Sequence, residues 1–178
     1  MVELAIVMTI VAILMAISIP SYKYVTNSNR IAAEINGLLG DMQYARAEAI
    51  KEGQTVTVCV SSNAASAAPT CTGGTSWQNG WIVFADVNGD QQVTAGTDTV
   101  LRQQAPFTST DTFVANNTLT AVTFNREGFP VTSTAAANTA DQTWRLHATP
   151  TNNQSTRCIK VGLNGQVLSE IYGVGVCT

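Results

Sequence analysis

The sequence predicts an α+β fold in which a long N-terminal helix packs on a head of antiparallel β-sheet. Three observations predict it. An almost unbroken apolar run opens the chain, a stripe of apolar residues spaced by three and four follows, and short segments with two-residue alternation fill the remainder. Side chains repeat every 3.6 residues on a helix and every two on a strand, so the change of spacing near Gly53 marks a change of structure.

The opening run predicts a membrane segment. From Leu4 to Ile19 every residue is apolar except one Thr and one Ser. Such a run forms about 24 Å of helix, close to the ~30 Å hydrocarbon core of a bilayer. A secretory signal peptide would carry a basic residue before the run and a small-residue cleavage site after it, and neither pattern occurs here. We therefore expect residues 1–25 to form a transmembrane and assembly helix, and residues 26–178 to form a globular head that includes the amphipathic half of that helix.

The second apolar pattern predicts that the helix continues into the head. Its members step by three and four residues and are Ile31, Ile35, Leu38, Met42, Ala45 and Ala49. A stripe at this spacing lines one helix face and is typical of a core rather than of a ligand site. Gly53 closes the pattern as a C-cap, so we expect one helix over the first fifty residues. A bend is expected at Pro20 and a weak point at Gly37 or Gly40.

Seven later segments are predicted to be strands because they alternate and are rich in β-branched and aromatic residues. They are residues 55–60, 81–86, 99–105, 119–125, 143–149, 157–162 and 165–170. Turn residues connect them, which predicts antiparallel sheets packed on the helix. The Asn-Gly pair at 164–165 predicts a β-hairpin. The low-complexity stretches 61–76 and 132–143 are expected to be loops.

The N-terminal segment resembles the N-terminus of type IV pilins and pseudopilins. The likeness rests on Glu-Leu at 3–4, the apolar stretch, and Ile-Pro-Ser-Tyr at 19–22, with Pro20 at the family's spacing from Glu3. The resemblance implies the pilin fold, a helix kink at Pro20, and a role for Glu3 in filament assembly. In pilins this Glu neutralises the N-terminal amine of the next subunit. The implied partners are other pilins or pseudopilins and, before assembly, the inner membrane. Met1 stands where the family has its third mature residue, so prepilin peptidase is an expected partner if the true start lies upstream.

The four cysteines predict disulfides. They allow three pairings, of which the local one, Cys59–Cys71 with Cys158–Cys177, is favoured. Each such bridge stabilises a fold by about 3 kcal/mol in the chain-entropy treatment. A zinc site is disfavoured because the sequence has no CxxC or Cys/His spacing. Disulfides form in oxidising compartments, so the head is expected in the periplasm and then on a cell-surface pilus or a periplasmic pseudopilus.

A finer resemblance covers roughly the first 105 residues. The Ala-Arg-x-Glu-Ala helix end at 45–49, the strand that closes on Cys59 and the Trp-x-x-Gly-Trp block at 77–81 are similar to the GspH/FimT/FimU group of minor pilins. The resemblance implies a minor pilin that joins the priming or tip complex of a type IV pilus and supports pilus assembly. Two alternatives stay open, a minor subunit of the type II secretion pseudopilus and a FimT-like DNA receptor for natural transformation.

DNA is not an expected partner. The FimT branch carries Gly-Arg-x-Arg in its C-terminal hairpin, and this chain has Gln166 and Leu168 in place of the two arginines. Duplex DNA requires a basic surface, whereas the chain has a net charge of −3 and scattered Lys and Arg residues.

A weak calcium candidate follows residue 85. Asp86, Asn88 and Asp90 stand at positions one, three and five of a calcium loop. The pattern then breaks, because Gln91 replaces the turn glycine and Thr97 replaces the final acid. A polar turn is therefore the favoured interpretation, and no metal or other cofactor is expected.

No catalytic site is expected. The single histidine, His147, alternates with Trp144 and Leu146 in a predicted strand. No second histidine accompanies it and no paired acid stands near it in the sequence, so a hydrolytic triad has no basis and the chain is not expected to be an enzyme.

Overall fold

A computed structural model describes residues 2–115, 119–132, 138, 140–147, 155–175 and 177, and their side chains except at positions 20, 21, 146 and 147. One long helix, α1 (Val2–Glu52), is followed by strands and by a 3₁₀ turn at Trp77–Asn79. The strands are β1 (Val56–Val60), β2 (Trp81–Ala85), β3 (Thr99–Gln104), β4 (Thr112–Ala115), β5 (Ala121–Phe124), β6 (Pro130–Val131), β7 (Gln142–His147), β8 (Arg157–Val161) and β9 (Val167–Ile171).

Helix α1 has two halves with different surroundings. The first half is exposed, and the second half presents the predicted stripe to the head, where its members are buried: Ile31, Ile35, Leu38, Met42, Ala45 and Ala49. The backbone stays helical through Pro20, Gly37 and Gly40. The helix ends as predicted at Gly53, whose N–H donates to the carbonyl of Ala49 at 3.0 Å with φ at +69°, the left-handed conformation that favours glycine at a C-cap.

Two antiparallel sheets form the head. The first has five strands in the order β3-β2-β1-β5-β6, and the second has four in the order β4-β7-β8-β9. The β8–β9 hairpin turns at the predicted Asn-Gly, where Gly165 has φ at +74° and donates its N–H to the carbonyl of Gly162 at 2.8 Å. The predicted α+β class is therefore confirmed, with a long helix packed on antiparallel sheet.

The central strands of the five-stranded sheet are covered on both faces. Val56, Val58 and Val60 on β1 belong to the same apolar core as the α1 stripe. On the opposite face, Cys59 packs with Ala64 from the 61–76 loop, which therefore acts as a lid on the sheet. Burial on both sides explains why β1 is apolar almost without interruption although its partners are antiparallel.

The three tryptophans join the parts of the core. Trp77 and Trp144 meet edge to face with ring centroids 5.4 Å apart, which links the 3₁₀ turn to the four-stranded sheet. The indole N–H of Trp77 donates to the carbonyl of Leu119 at 3.0 Å. The indole N–H of Trp81 donates to Asp41 Oδ2 on α1 at 2.8 Å, so two of these large side chains are both buried and hydrogen-bonded.

Two strands were not predicted from the sequence. Strand β4 has four residues, and its partner β7 lies about thirty positions further along the chain, so no local turn signal announces it. Strand β6 has two residues and contains Pro130, which is tolerated there because β6 is the outer strand of its sheet. Strand β7 begins inside the predicted 132–143 loop, and most of the rest of that loop lies outside the described residues.

Both predicted disulfides are present. Cys59 and Cys71 are joined across 12 residues, and Cys158 and Cys177 across 19, with a Cα–Cα distance of 5.6 Å in each pair. The first attaches the 61–76 loop to β1, and the second attaches the C-terminal segment to β8. Each disulfide closes a short loop and thereby lowers the conformational entropy of the unfolded chain.

Replacing Cys158 and Cys177 together by serine is expected to lower the free energy of unfolding by about 3 kcal/mol, since the double variant loses the loop constraint. Urea denaturation of the full chain in detergent micelles measures the change. Replacing Cys59 and Cys71 together should cost about the same, because the loops are similar in length. A loss well below 1 kcal/mol in both double variants would contradict the loop-constraint explanation.

Candidate functional site

The first half of α1 is an apolar surface with no cover from the head. Its large apolar side chains have exposed fractions between 39% at Val11 and 75% at Val2. Within the 4–19 run the two hydroxyl groups are satisfied by the helix, because Thr9 donates to the carbonyl of Ala5 and Ser18 to that of Leu14, each at 2.8 Å. By length and composition the helix could cross a membrane. Its surface suits lipid or other apolar helices rather than water.

Glu3 lies in the first turn of this apolar half, and its side chain is exposed. At this end of the helix the unpaired backbone N–H groups carry partial positive charge, which favours a carboxylate. Pro20, the second predicted assembly residue, lies within α1 and its side chain is outside the described part of the structure. Because the Glu3 side chain is exposed, a cation from outside the chain can reach its carboxylate.

A seam of charged residues joins the second half of α1 to the segment between β3 and β4. Arg30 donates from Nε to Asp111 Oδ2 at 2.8 Å and from Nη2 to Asp111 Oδ1 at 3.0 Å, a bidentate pair whose carboxylate is fully buried. One turn later, Glu34 accepts a hydrogen bond from Ser109 at 2.8 Å. These contacts hold the β3–β4 segment against the helix.

Burial raises the pKa of Glu34. Ser109 and Arg30 act in the opposite direction, while the neighbouring carboxylate of Asp111 adds to the rise. Arg30 is committed to Asp111 in the bidentate pair, so the charge on Glu34 lacks an equally close cation among the described residues. Glu34 is thus the residue of the seam whose negative charge is least well compensated among the described residues.

Further along the helix, Asp41 anchors the five-stranded sheet. Its Oδ2 accepts the indole N–H of Trp81, and its Oδ1 accepts Nη1 of Arg102 at 3.1 Å. The Arg102 guanidinium also lies 3.8 Å from the centroid of the Tyr44 ring, a cation–π contact. These contacts join residues 40 and 61 positions apart, so no local sequence pattern could show them.

Arg46 occupies a slot between two hairpin turns from different sheets. Gly128 lies in the β5–β6 turn and Gly165 in the β8–β9 turn, both at positive φ. A Cβ at Gly128 would lie 3.0 Å from Arg46 Nε, and one at Gly165 would lie 3.1 Å from it and would collide with the Gly128 carbonyl. Both glycines thus leave room for the guanidinium, which donates from Nη2 to the carbonyl of Asn164 at 3.3 Å.

The segment after β2 brings three carboxylates together. Oxygen atoms of Asp86, Asp90 and Asp98 lie within 4.8 Å of one another. Asp98, which is part of this group, stands one residue late in the calcium-loop pattern. Asn88, which the pattern included, instead donates a hydrogen bond to Asp90 Oδ2 at 2.8 Å. Oxygen ligands of this kind suit Ca²⁺ chemically.

Hydrogen bonds within the chain account for this arrangement. Asp86 is buried and accepts the backbone N–H groups of Asp90 and Gln91 at 3.1 and 3.0 Å and the hydroxyl of Thr57 at 2.7 Å. Burial raises the pKa of Asp86, and the Asp98 charge contributes to the rise. The observed contacts are those of a polar turn closed around a buried carboxylate.

The C-terminal hairpin carries little free positive charge. Lys160 pairs with Asp141 at 2.6 Å, and this hydrogen bond lowers the pKa of Asp141. Leu168 lies directly opposite Lys160 in the β8–β9 register. The position that carries an arginine in FimT-like chains therefore presents an apolar side chain next to a neutralised lysine. The side chain of His147 lies outside the described part of the structure.

The chain matches a known protein family over most of its length. The family model described as type II transport protein GspH matches residues 34–165, about three quarters of the chain. The chain belongs to the GspH family. This confirms the resemblance to the GspH/FimT/FimU group of pilins. No curated protein sequence matches the chain.

Two crystal structures of the type IV minor pilin FimU of Pseudomonas aeruginosa share the fold of this GspH-family chain. One aligns with a TM-score of 0.58 and 16% identity over 80% of this chain and 89% of FimU. The other crystal form gives 0.52 and 18% over 79% and 90%. At such identity the likeness concerns the fold. The GspH match itself begins at Glu34 and ends at Gly165, so it includes most of the seam and both glycines of the Arg46 slot.

We predict that Glu34→Gln makes the GspH-family head more stable at neutral pH. A carboxyl whose pKa is raised on folding favours the folded state when protonated, fully below the ordinary value of 4.5, and loses that contribution as pH rises through the raised value. Glutamine is neutral at every pH and can still accept from Ser109. The variant should therefore melt above wild type near pH 7.5, and the difference should shrink towards about pH 4.

Thermal unfolding of the full chain at both pH values tests this prediction. Glu52→Gln on the exposed end of the same helix is the matched control and should show no comparable pH-dependent difference. A variant that melts below wild type at neutral pH would show that the Glu34 charge stabilises the head.

Proposed function

We propose that the chain is a minor pilin that joins the priming or tip complex of a type IV pilus and supports pilus assembly. The observation that carries the proposal is the single helix α1, whose exposed apolar half bears Glu3 and whose other half is the core of a disulfide-bridged head. A subunit with this division can be held in lipid by one half of the helix while the folded head stays in water.

Residues 1–25 form the transmembrane and assembly segment in this proposal, and residues 26–178 form the periplasmic head. Before assembly the segment lies in the inner membrane, and after assembly it packs among the helices of other pilins. Both surroundings cover the apolar side chains that water would leave exposed. The disulfides agree with a periplasmic head, because that compartment is oxidising.

In this proposal Glu3 favours assembly by forming an ion pair between subunits. A carboxylate within a bilayer costs on the order of 3 kcal/mol on insertion scales. An N-terminal amine about 4 Å away would attract it by about 4 kcal/mol at an intermediate dielectric constant. Pairing with the amine of a neighbouring subunit therefore offsets the cost and favours the filament over the isolated subunit. Pro20 serves in the same proposal as the residue that shapes the helix at the end of the apolar run.

Family membership supports a second candidate, a minor subunit of the type II secretion pseudopilus, because the matching family is described as a type II transport protein. The FimU likeness favours the pilus, since FimU is a type IV minor pilin. Pilin and pseudopilin families are structural proteins, so either role is non-enzymatic. Affinity purification of the crosslinked chain from its own cells distinguishes the two by the subunits recovered.

We predict that Glu3→Ala leaves the protein in the membrane but lowers its amount in sheared filaments at least about tenfold. The substitution removes an insertion cost and also removes the charge pair, whose loss exceeds the 1.4 kcal/mol that corresponds to a factor of ten. Glu52→Ala, at the other end of the same helix, is the control and should be recovered like wild type. Recovery of Glu3→Ala at wild-type amounts would refute the charge-pairing role.

We also predict no measurable binding of the full chain in detergent micelles to a duplex of about 30 base pairs at physiological salt. Lys160 is paired with Asp141, Leu168 is apolar, and the attraction of a single surface charge is screened within about 8 Å at physiological salt. Gln166→Arg combined with Leu168→Arg should create binding that weakens with salt, since it adds two phosphate contacts. A mobility shift by the unaltered chain that is lost in Lys160→Ala would favour the DNA-receptor alternative.

A further inference from the structure

A groove of about 490 Å³ lies at the end of the head where α1 terminates. Gln43, Arg46, Ala47 and Ile50 of the helix form one wall, and Gln166 and Val167 at the start of β9 form the other. The groove is lined by one charged side chain, that of Arg46. It lies far from Glu3, and neither the membrane segment nor the charged seam at Arg30 and Glu34 contributes to it.

Arg46 has unused hydrogen-bonding capacity at this groove. Its Nε is buried and has no hydrogen-bond partner among the described residues, and its Nη2 makes one long hydrogen bond, to the Asn164 carbonyl. No carboxylate of the described chain lies within ion-pair distance of it, whereas Arg30, Lys51, Arg102, Arg126 and Lys160 each have one. A guanidinium offers five N–H donors in a planar fork that matches a carboxylate.

The guanidinium is also held in position. A Cβ built on Gly128 would lie 2.8 Å from Ile50 Cδ1 and 3.0 Å from Arg46 Nε, and one built on Gly165 would lie 3.1 Å from that Nε, so both turns pack closely against the arginine. The side chain therefore has little freedom to turn away into solvent. A donor group held in this way loses little conformational entropy when a partner binds.

Three half-exposed apolar side chains belong to the elements that form the slot, which are the end of α1 and the two hairpin turns. Ile50 is 51% exposed, Phe129 next to Gly128 is 46% exposed, and Leu163 in the β8–β9 turn is 46% exposed. Arginine and aromatic residues are enriched at protein–protein contacts, and Arg46 and Phe129 are of these types. Charge complementarity then specifies an acidic group as the occupant.

We propose that this groove receives an aspartate or glutamate side chain of the neighbouring subunit, which binds the Arg46 guanidinium while its surroundings pack on Ile50, Phe129 and Leu163. The proposal rests on the proposed function, because it requires a neighbouring subunit in a filament. It adds a second charge pair to that of Glu3. The Glu3 pair joins the helices, and the Arg46 pair joins the heads.

A protein carboxylate fits this surface better than the phosphates of DNA. Phosphate binding by DNA-binding proteins uses several cations along a surface. Around Arg46 the nearest basic side chain of the helix, Lys51, is already paired with Glu48 and Glu52. The apolar neighbours have no counterpart on a phosphate backbone, but they can pack against the side chains of a protein.

The variant Gln43→Glu tests the proposal without removing a residue of the slot. Position 43 lies one helical turn before Arg46 on the same groove wall, so a glutamate there forms an i,i+3 ion pair with it and competes with an incoming carboxylate. The variant should melt at or above the wild-type temperature, yet its recovery in sheared filaments should fall at least about fivefold. Gln103→Glu, the same change on the exposed strand β3, is the control and should assemble like wild type. Wild-type recovery of Gln43→Glu would overturn the proposal.

A direct binding measurement separates this inference from the proposed function. The isotope-labelled full chain in detergent micelles is titrated with 4-methylpentanoate, and the neutral 4-methylpentanamide is the control ligand. We expect saturable NMR shifts at Arg46 Nε–H and the Gly165 amide with the acid, none with the amide, and none in Gln43→Glu. Equal shifts with both ligands, or none with the acid, would overturn the groove as a carboxylate site.

The two experiments fail in different ways. If the wild-type chain never enters filaments but the carboxylate still binds, the proposed function is wrong and the chemistry of the groove stands. If duplex DNA shifts the same resonances at physiological salt and Gln43→Glu abolishes the effect, the groove is a nucleic-acid contact and the inference is overturned.

Discussion

Burial of the α1 stripe between the two sheets is the interaction on which the rest of the head depends. From Ile31 to Ala49 the helix runs about 28 Å through the core and contacts strands of both sheets. Leu38 and Met42 are fully buried at the middle of this path. Each such side chain contributes about 2 kcal/mol by leaving water, and both sheets share that contribution. A helix that left the head would expose the inner faces of the two sheets together.

The charged residues of α1 decide how the sheets and connections are arranged around it. Arg30 holds the segment before β4, Asp41 holds β2 and β3, and Arg46 holds the turns of two hairpins. Apolar burial fixes which face of the helix points into the core, but it specifies less well which position along the helix meets each strand. Buried or half-buried ion pairs add little net stability, but they penalise arrangements in which a charge loses its partner.

This division of work within one helix suits a subunit that changes surroundings. In the proposed function, the exposed half exchanges lipid for neighbouring helices without changing its backbone hydrogen bonds, because a helix satisfies them internally. Meanwhile the embedded half packs in the core of the head, and the two disulfides attach the 61–76 loop and the C-terminal segment to strands β1 and β8. In the proposed function, assembly then requires new contacts between subunits but no refolding of the head.

Much of the fold and part of the site could be predicted from the sequence, because local patterns determine them. The apolar run, the stripe from Ile31 to Ala49, the C-cap at Gly53 and the Asn-Gly hairpin each depend on residues close together in the chain. Both disulfides also join nearby cysteines. For the same reason Glu3 could be singled out, since its place at the head of an apolar segment is a local feature.

What only the tertiary structure decided are the contacts between distant residues. Arg30 meets Asp111 across 81 positions, and Arg46 meets Asn164 across 118. Strand β4 forms because β7 lies beside it, and Gly165 is required because two turns from different sheets approach so closely that a Cβ there would collide with the Gly128 carbonyl. Asp98 joins Asp86 and Asp90 although it breaks the spacing of a calcium loop. A sequence specifies which side chains are available at each position, but the close approach that pairs them exists only once the sheets have packed on the helix.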